Sequence, residues 1–231
     1  MKRLGLVGGM SWESSIEYER IINQIVRREL GGVASADLII RSFNFAEIEK
    51  MQADNDWERA GIVLGEASQA LESAGAEAIV LCTNTMHVVA DAIENAVSIP
   101  LIHIADATGL AIQHSSLDTV ALLGTRYTME KDFYAGRIRD KFGIDVIIPE
   151  EPDRTSVHEV IYNELVQGVF NSESRERYQE IVQRLVDRGA QGIIAGCTEI
   201  ELLLSANDVS VPYFPTTTIH ATAAAVFALT D

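Results

Sequence analysis

The sequence predicts an α/β protein with two pseudo-symmetric lobes, each a parallel sheet flanked by helices. Two observations support this fold class. Short apolar runs typical of strands alternate with longer amphipathic segments typical of helices. The second half of the chain also repeats motifs of the first half in the same order. In the clearest repeat, AGAEAIVLCTN at 74–84 resembles RGAQGIIAGCTE at 188–199, which has one inserted residue.

The repeats divide the chain into a first lobe at 1–98, a crossover at 99–117 and a second lobe at 118–231. The sequence leaves open whether the C-terminal segment also packs on the first lobe. No stretch rich in Pro and Gly separates the halves, so we expect the lobes to meet in a cleft that contains the active site.

The elements follow from the apolar pattern of each segment. In the first lobe the pattern predicts strands at Leu4–Val7, Asp37–Arg41, Ala78–Leu81 and Leu101–Ile104, and helices at Glu13–Arg28, Glu58–Ala74 and Met86–Asn95. In the second lobe it predicts strands at Thr119–Leu123, Asp145–Ile148, Gly192–Ala195 and Pro212–Phe214, and helices at Glu130–Lys141, Val157–Val169, Ser174–Arg188 and Ile219–Leu229. The charged residues of 173–188 are expected to form a solvated helix face with ion pairs four residues apart.

Composition and charge exclude several classes of protein. The 231 residues are 47% hydrophobic and 23% charged, which is typical of a globular chain and not of a disordered one. The net charge of −16 and the absence of a Lys/Arg cluster argue against nucleic acid as a partner. No apolar run reaches the ~20 residues of a membrane span, and the N-terminus does not resemble a signal peptide, so a cytoplasmic location without membrane contact is expected.

Cys82 and Cys197 each follow a predicted strand, and each is followed by Thr and a polar residue. In open α/β sheets, ligands bind at the carboxyl ends of strands. A helix beginning there would offer unpaired N–H groups and a partial positive charge, which lower a thiol pKa and attract a carboxylate. Thr83, Asn84 and Thr85 add further hydrogen-bonding groups. Two thiols on opposite sides of one carbon would suit inversion at that carbon, one removing a proton and the other supplying one.

Other interpretations of the cysteines stay open at this point. Both could be buried packing residues, which is the ordinary role of a lone Cys. A redox pair is disfavoured because there is no C-x-x-C spacing, and no His or Cys recurs at the spacing of zinc ligands. His87, about one helical turn from Cys82, could tune the thiol, although a role in supporting the loop is favoured.

Several motifs resemble the aspartate/glutamate racemase family. They are LVGGMSWES at 6–14, CTNTMH at 82–87, LGTRYTM at 123–129, HIADA at 103–107 and GCTE at 196–199. The resemblance covers essentially the whole chain and is greatest to bacterial amino-acid racemases of broad specificity. It implies two lobes, two catalytic cysteines, an amino-acid substrate and no cofactor or metal. A homodimer is also expected, because most soluble oligomers are symmetric dimers.

The resemblance also implies roles for individual residues. Cys82 and Cys197 would be the two bases, and the substrate-binding residues would be Met10, Ser11, Gln52, Thr83, Asn84, Thr85, Thr125, Tyr127 and Thr198. Where aspartate-selective relatives place a basic residue over the distal carboxylate, this chain has Glu164, which would repel that carboxylate or hold the ammonium group. The alternatives are a sibling isomerase, decarboxylase or hydantoin racemase on the same scaffold, or a binding protein without catalysis.

Overall fold

Eight strands form two parallel four-stranded sheets in the computed structural model, which describes residues 1–230. The first unit comprises Met1–Ile104 together with the segment from His220 onward, and the second comprises Ala105–Ile219. Helices follow the strands in both units. The predicted fold class, an α/β protein with two parallel sheets flanked by helices, is confirmed.

The two sheets have the same topology. The first contains β1 Leu4–Gly8, β2 Leu38–Ser42, β3 Ala78–Leu81 and β4 Leu101–Ile102 in the order β2-β1-β3-β4. The second contains β5 Thr119–Gly124, β6 Asp145–Ile147, β7 Ile193–Gly196 and β8 Tyr213–Pro215 in the order β6-β5-β7-β8. In each sheet the first strand along the chain therefore lies beside the third, which brings the loops after these strands to the same edge.

The helices before β5 are α1 Trp12–Leu30, α2 Phe45–Ala53, α3 Trp57–Ser73, α4 Ala90–Ala96 and α5 Ile104–His114, with a 3-10 turn at Thr85–Val89. Those after it are α6 Arg126–Glu130, α7 Asp132–Phe142, α8 Asp153–Asn163, α9 Ser172–Asp187, α10 Thr198–Leu203 and α11 Thr216–Leu229, with 3-10 turns at Leu165–Gln167 and Ala206–Asp208. Among the described residues, no helix is both long and apolar enough to cross a membrane.

The core of the first unit lies on both faces of its sheet, as the two-residue period of a strand requires. Leu4, Leu6, Val80 and Cys82 point to one face, where they join residues of α1 and α11. On the other face, Val7, Ile79 and Leu81 pack with residues of α2 and α3. Burial of one such aliphatic side chain stabilises the folded state by about 1.5–3 kcal/mol.

Helix starts and surface pairs agree with the local sequence. Ser11 and Thr125, at equivalent places after β1 and β5, are the N-cap residues of α1 and α6, and their side chains accept from the backbone N–H of Ser14 and Thr128. The predicted pairs on α9 are present, with 3.2 Å between Arg177 and Glu173 and 3.9 Å between Arg184 and Glu180.

One predicted strand end is wrong. The strand predicted at Leu101–Ile104 ends at Ile102, and α5 begins at Ile104, because a short apolar run fits either element. Asp106 lies inside α5 and pairs with Arg137 and Lys141. Trp12, the first residue of α1, is 62% exposed.

Candidate active site

Each cysteine directly follows the third strand of its sheet. Cys82 comes after β3 and continues its register, because its N–H donates to the Val7 carbonyl at 2.9 Å. Cys197 comes after β7, one residue beyond the pair formed by Gly124 and Gly196. Its backbone is extended and it is the N-cap residue of α10. The inserted Gly196 therefore places the second thiol one residue farther along its strand than the first.

The surroundings of the Cys82 thiol are apolar. Its side chain is 0% exposed and belongs to the core cluster beneath α1 and α11. The sulfur lies 3.6 Å from the Val80 carbonyl oxygen, and the Cys82 carbonyl accepts from the Ser14 hydroxyl at 3.1 Å. Burial alone raises the pKa of this thiol. Cys82 is therefore a neutral thiol held in the core at the end of the sheet.

A carboxylate lies beside the Cys197 thiol. The Cys197 S–H donates to Glu199 Oε2 at 2.9 Å, and both residues are buried. The backbone N–H groups of Glu199 and Ile200 also point at the sulfur and lower its pKa. Burial and the charge of Glu199 outweigh them, so the pKa of Cys197 lies well above its ordinary value. The second thiol is also neutral, but it has an immediate proton acceptor.

The expectation that helix termini lower both thiol pKa values is therefore wrong. The element after Cys82 is a five-residue 3-10 turn, and the one after Cys197 is a six-residue helix, so neither provides the dipole of a long helix. Desolvation disfavours the thiolate more strongly than the local N–H groups favour it.

In the first unit, most of the remaining predicted residues lie after β1 and β3, and Gln52 lies in α2. Met10 and Ser11 follow β1, and both are buried. Thr83, Asn84 and Thr85 are buried in the turn after β3, so they share an edge of the sheet with the β1 loop. Gln52, in α2, is also buried and donates to the sulfur of Met86 at 3.0 Å, which ties α2 to this turn.

In the second unit, Thr125 follows β5, and its hydroxyl lies 3.1 Å from that of Thr128. Thr198 follows Cys197 and its hydroxyl lies 2.8 Å from that of Thr217. Both threonines are buried at the same edge of the second sheet, since β5 and β7 are neighbours. Tyr127 packs edge to face against His158, with 6.0 Å between the ring centroids.

Glu164 follows α8 and supports the loop that leads into α9. Its Oε2 accepts from Asn171 Nδ2 and from the Ser174 hydroxyl, each at 2.6 Å. Burial raises the pKa of Tyr178 well above its ordinary value, and the charges of Cys197 and Glu164 raise it further.

A sequence model described as Asp/Glu/Hydantoin racemase matches residues 7–224. The chain belongs to the Asp/Glu/Hydantoin racemase family. Membership makes it an isomerase of the amino-acid racemase type.

Two solved structures and one further sequence relative are similar to this chain and carry racemase names. A candidate Asp/Glu racemase from Yersinia pestis is 54% identical and has a TM-score of 0.93, with all of both chains covered. An aspartate racemase homologue from Pyrococcus horikoshii OT3 is 33% identical over 99% of both chains, with a TM-score of 0.85. The broad specificity amino-acid racemase RacX from Bacillus subtilis is 26% identical over 69% of this chain and 67% of its own length.

Two residues of this racemase-family chain gain importance only from the structure. Glu199 belongs to the GCTE motif, but the sequence alone does not show that its carboxylate accepts a hydrogen bond from the Cys197 thiol. His158 is half-buried, and its Nδ1 accepts from the backbone N–H of Arg126 at 3.2 Å. Burial and the charge of Arg126 lower the pKa of His158. An acid two residues after a cysteine was the available signal for Glu199; His158 had none.

Proposed function

We propose that this racemase interconverts the L and D enantiomers of aspartate, glutamate or both without a cofactor, with Cys82 and Cys197 exchanging protons at Cα. The observation that carries this proposal is the pair of buried thiols at the carboxyl ends of corresponding strands, one of them hydrogen-bonded to a carboxylate. The names of the relatives from Yersinia pestis and Pyrococcus horikoshii, which refer to Asp/Glu and aspartate racemases, support the choice of substrate.

The reaction needs one thiolate and one thiol at its start. Transfer of the Cys197 proton to Glu199 replaces S–H and carboxylate with thiolate and carboxylic acid, so the net charge of the pair is unchanged. This transfer avoids placing a second negative charge in a buried site, where an unpaired charge is costly. The positive ammonium group of an amino acid would further favour a thiolate nearby.

Proton transfer at Cα then follows in two balanced steps. The Cys197 thiolate removes the α-hydrogen as a proton and becomes a thiol, leaving the electron pair on Cα as a carbanion. The Cys82 thiol gives its proton to the opposite face of Cα and becomes a thiolate. The Cys82 thiolate and the Cys197 thiol that these steps leave carry out the reverse reaction, in which Cys82 removes the proton of the other enantiomer and Cys197 supplies one. The polar groups of Thr83, Asn84 and Thr198 would bind the α-carboxylate and the ammonium group.

The direct test incubates the purified protein with L- or D-aspartate and L- or D-glutamate in deuterium oxide, without added pyridoxal phosphate. Chiral chromatography and mass spectrometry should show the opposite enantiomer carrying deuterium at Cα. The double variant Cys82→Ser/Cys197→Ser is the control for contaminating racemases, and it should show neither signal. The absence of exchange with all four amino acids would refute the assigned substrates.

The same assay should include neutral amino acids, because a binding role of Glu164 would disfavour a distal carboxylate, and a 5-substituted hydantoin, because the family includes hydantoin racemases. Exchange of neutral amino acids alone would keep the racemase chemistry and replace the substrate. Exchange of the hydantoin alone would show that the protein is a hydantoin racemase and would refute the proposed function.

A further inference from the structure

Hydrogen bonds from several backbone groups hold the turn that carries Cys82. The Thr83 N–H donates to the Leu81 carbonyl at 2.8 Å, and the His87 N–H donates to the Asn84 carbonyl at 3.1 Å. The Cys82 N–H and carbonyl are bound by Val7 and Ser14 as described above. The Thr83 carbonyl, next to the thiol along the chain, is bound by the ring of His87.

The two ring nitrogens of His87 have partners of opposite kinds. Nδ1 lies 2.7 Å from the Thr83 carbonyl oxygen, and Nε2 lies 3.2 Å from the backbone nitrogen of Ile104. A carbonyl oxygen only accepts and a backbone N–H only donates, so the proton is on Nδ1 and Nε2 is the acceptor. His87 is therefore a neutral ring with one defined tautomer, and it is 1% exposed.

The histidines that face His87 belong to the same buried group. The ring of His103 has its centroid 4.5 Å from that of His87, and the ring of His220, in α11, is 5.8 Å away. His220 lies 2.7 Å from the Tyr18 hydroxyl through Nδ1 and 2.6 Å from the Ile102 carbonyl through Nε2. The Ile102 carbonyl requires the proton on Nε2, so Tyr18 donates to Nδ1. His220 is neutral as well, because burial lowers its pKa, and its ring faces that of His87.

We infer that His87 is a positioning residue for Cys82: its Nδ1–H holds the Thr83 carbonyl, and its Nε2 anchors the turn to the start of α5. In this role His87 neither gives nor takes a proton during the reaction. The Thr83 peptide would otherwise have a buried carbonyl without a donor, and the turn would shift to find one. Such a shift would move the Cys82 thiol together with Thr83 and Asn84.

Two substitutions separate the two hydrogen bonds of the ring. In His87→Asn the amide nitrogen reaches the place of Nδ1 and keeps the bond to Thr83, while the bond from Ile104 is lost. In His87→Gln the amide oxygen reaches the place of Nε2 and keeps the bond from Ile104, while the bond to Thr83 is lost. Each variant leaves one buried backbone group unpaired, so both should lose similar thermal stability. If His87 only stabilised the fold, the two variants would therefore show equal changes in hydrogen exchange at residues 83–87 and in kcat.

Peptide-resolved hydrogen exchange of the full chain tests the positioning without any assumption about activity. We expect faster exchange of the amides at 83–87 in His87→Gln, and wild-type exchange there in His87→Asn, with faster exchange at Ile104 instead. Equal exchange of residues 83–87 in the two variants would overturn the inference, even if the protein had another function.

The activity measurement rests on the proposed racemase function. In His87→Gln, kcat should fall roughly tenfold to a hundredfold, and by a larger factor than KM rises, while His87→Asn stays within about threefold of wild type. The pH profile of kcat/KM should keep its shape in His87→Asn. Equal losses of kcat in both variants, with one limb of the pH profile missing, would identify His87 as an acid–base group and overturn the inference.

Discussion

The two units place a thiol at corresponding ends of similar sheets, yet they give the two thiols different partners. Cys82 is packed into the core, and the turn after it is held by a neutral histidine. Cys197 donates directly to a buried carboxylate. Among the described residues, no carboxylate contributes to the raised pKa of Cys82, whereas Glu199 contributes strongly to that of Cys197. A repeated fold thus fixes where a reactive group lies, and its nearest neighbours fix how it exchanges protons.

The largest expected effect comes from removing either thiol. Cys82→Ser and Cys197→Ser should each lower the kcat for racemisation about a thousandfold or more, because a serine hydroxyl is a much weaker acid than a thiol. Both variants should keep the wild-type circular dichroism spectrum, since the substitution is nearly isosteric. Unchanged turnover of either variant would remove that cysteine from the reaction and make the comparison between the thiols irrelevant to catalysis.

Glu199→Gln should change the reactivity of Cys197 and leave that of Cys82 unchanged. Loss of the carboxylate removes a charge that raises the Cys197 pKa, so iodoacetamide should alkylate Cys197 faster at pH 8. The same variant should lower kcat by about a hundredfold, because the thiol loses its proton acceptor.

The control for this experiment is Glu201→Gln, which replaces a second carboxylate of the same helix, one that accepts from the Thr217 N–H instead of from a thiol. Alkylation of each cysteine is followed by mass spectrometry of the tryptic peptides. Equal acceleration at Cys82 and Cys197, or acceleration by Glu201→Gln as well, would show that the effect is not specific to the neighbouring carboxylate.

A smaller effect is expected on stability, and its direction differs between the units. Burial lowers the pKa of His220 in the first unit from 6.5 to about 4. The unfolded chain therefore binds the proton more tightly, and the stability present above pH 6.5 is lost as the pH falls toward 4, by at most about 3 kcal/mol. His220→Gln should flatten this acid limb in urea unfolding measured between pH 7.5 and 4.5. An acid limb as steep as that of wild type would rule out His220 as its source.

In the second unit, burial raises the pKa of Glu201 to about 7. The folded state then binds the proton more tightly, so the stabilisation is complete below pH 4.5 and is lost as the pH rises through 7, by a few kcal/mol at most. In urea unfolding between pH 5 and 8, Glu201→Gln should lose less stability than wild type as the pH rises. Parallel curves for the two proteins would show that Glu201 does not titrate in this range.

The architecture was largely predictable because it follows from local periodicity. All eight predicted strands are present, with ends shifted by two residues at most, since buried parallel strands are short apolar runs bounded by turns. The helices were less certain. The segment predicted as one helix at Met86–Asn95 is a 3-10 turn followed by α4, and that at Glu130–Lys141 overlaps α6 and α7. Helix α2 was missed because its nine residues are too few for a clear period.

For the candidate site, the positions of the residues along the chain were predictable, but their hydrogen-bond partners were not. The motif position placed both thiols after the correct strands, and the family resemblance pointed to Ser11 and Thr125, which follow β1 and β5. The partners of these residues could not be predicted, because they come from other segments. Glu164 meets Asn171 and Ser174 in a loop whose path only the folded chain defines. The substrate-binding roles assigned to these residues stay predictions.

The sequence by itself determined the two repeated sheets and the location of one thiol after the third strand of each. It could do so because apolar periodicity and a duplicated motif are properties of neighbouring residues. Only the tertiary structure decided that both thiols are neutral, that Glu199 is bound to one of them and that His87 has a single tautomer. These properties depend on desolvation and on groups brought within hydrogen-bonding distance by folding, which the order of residues along the chain does not display.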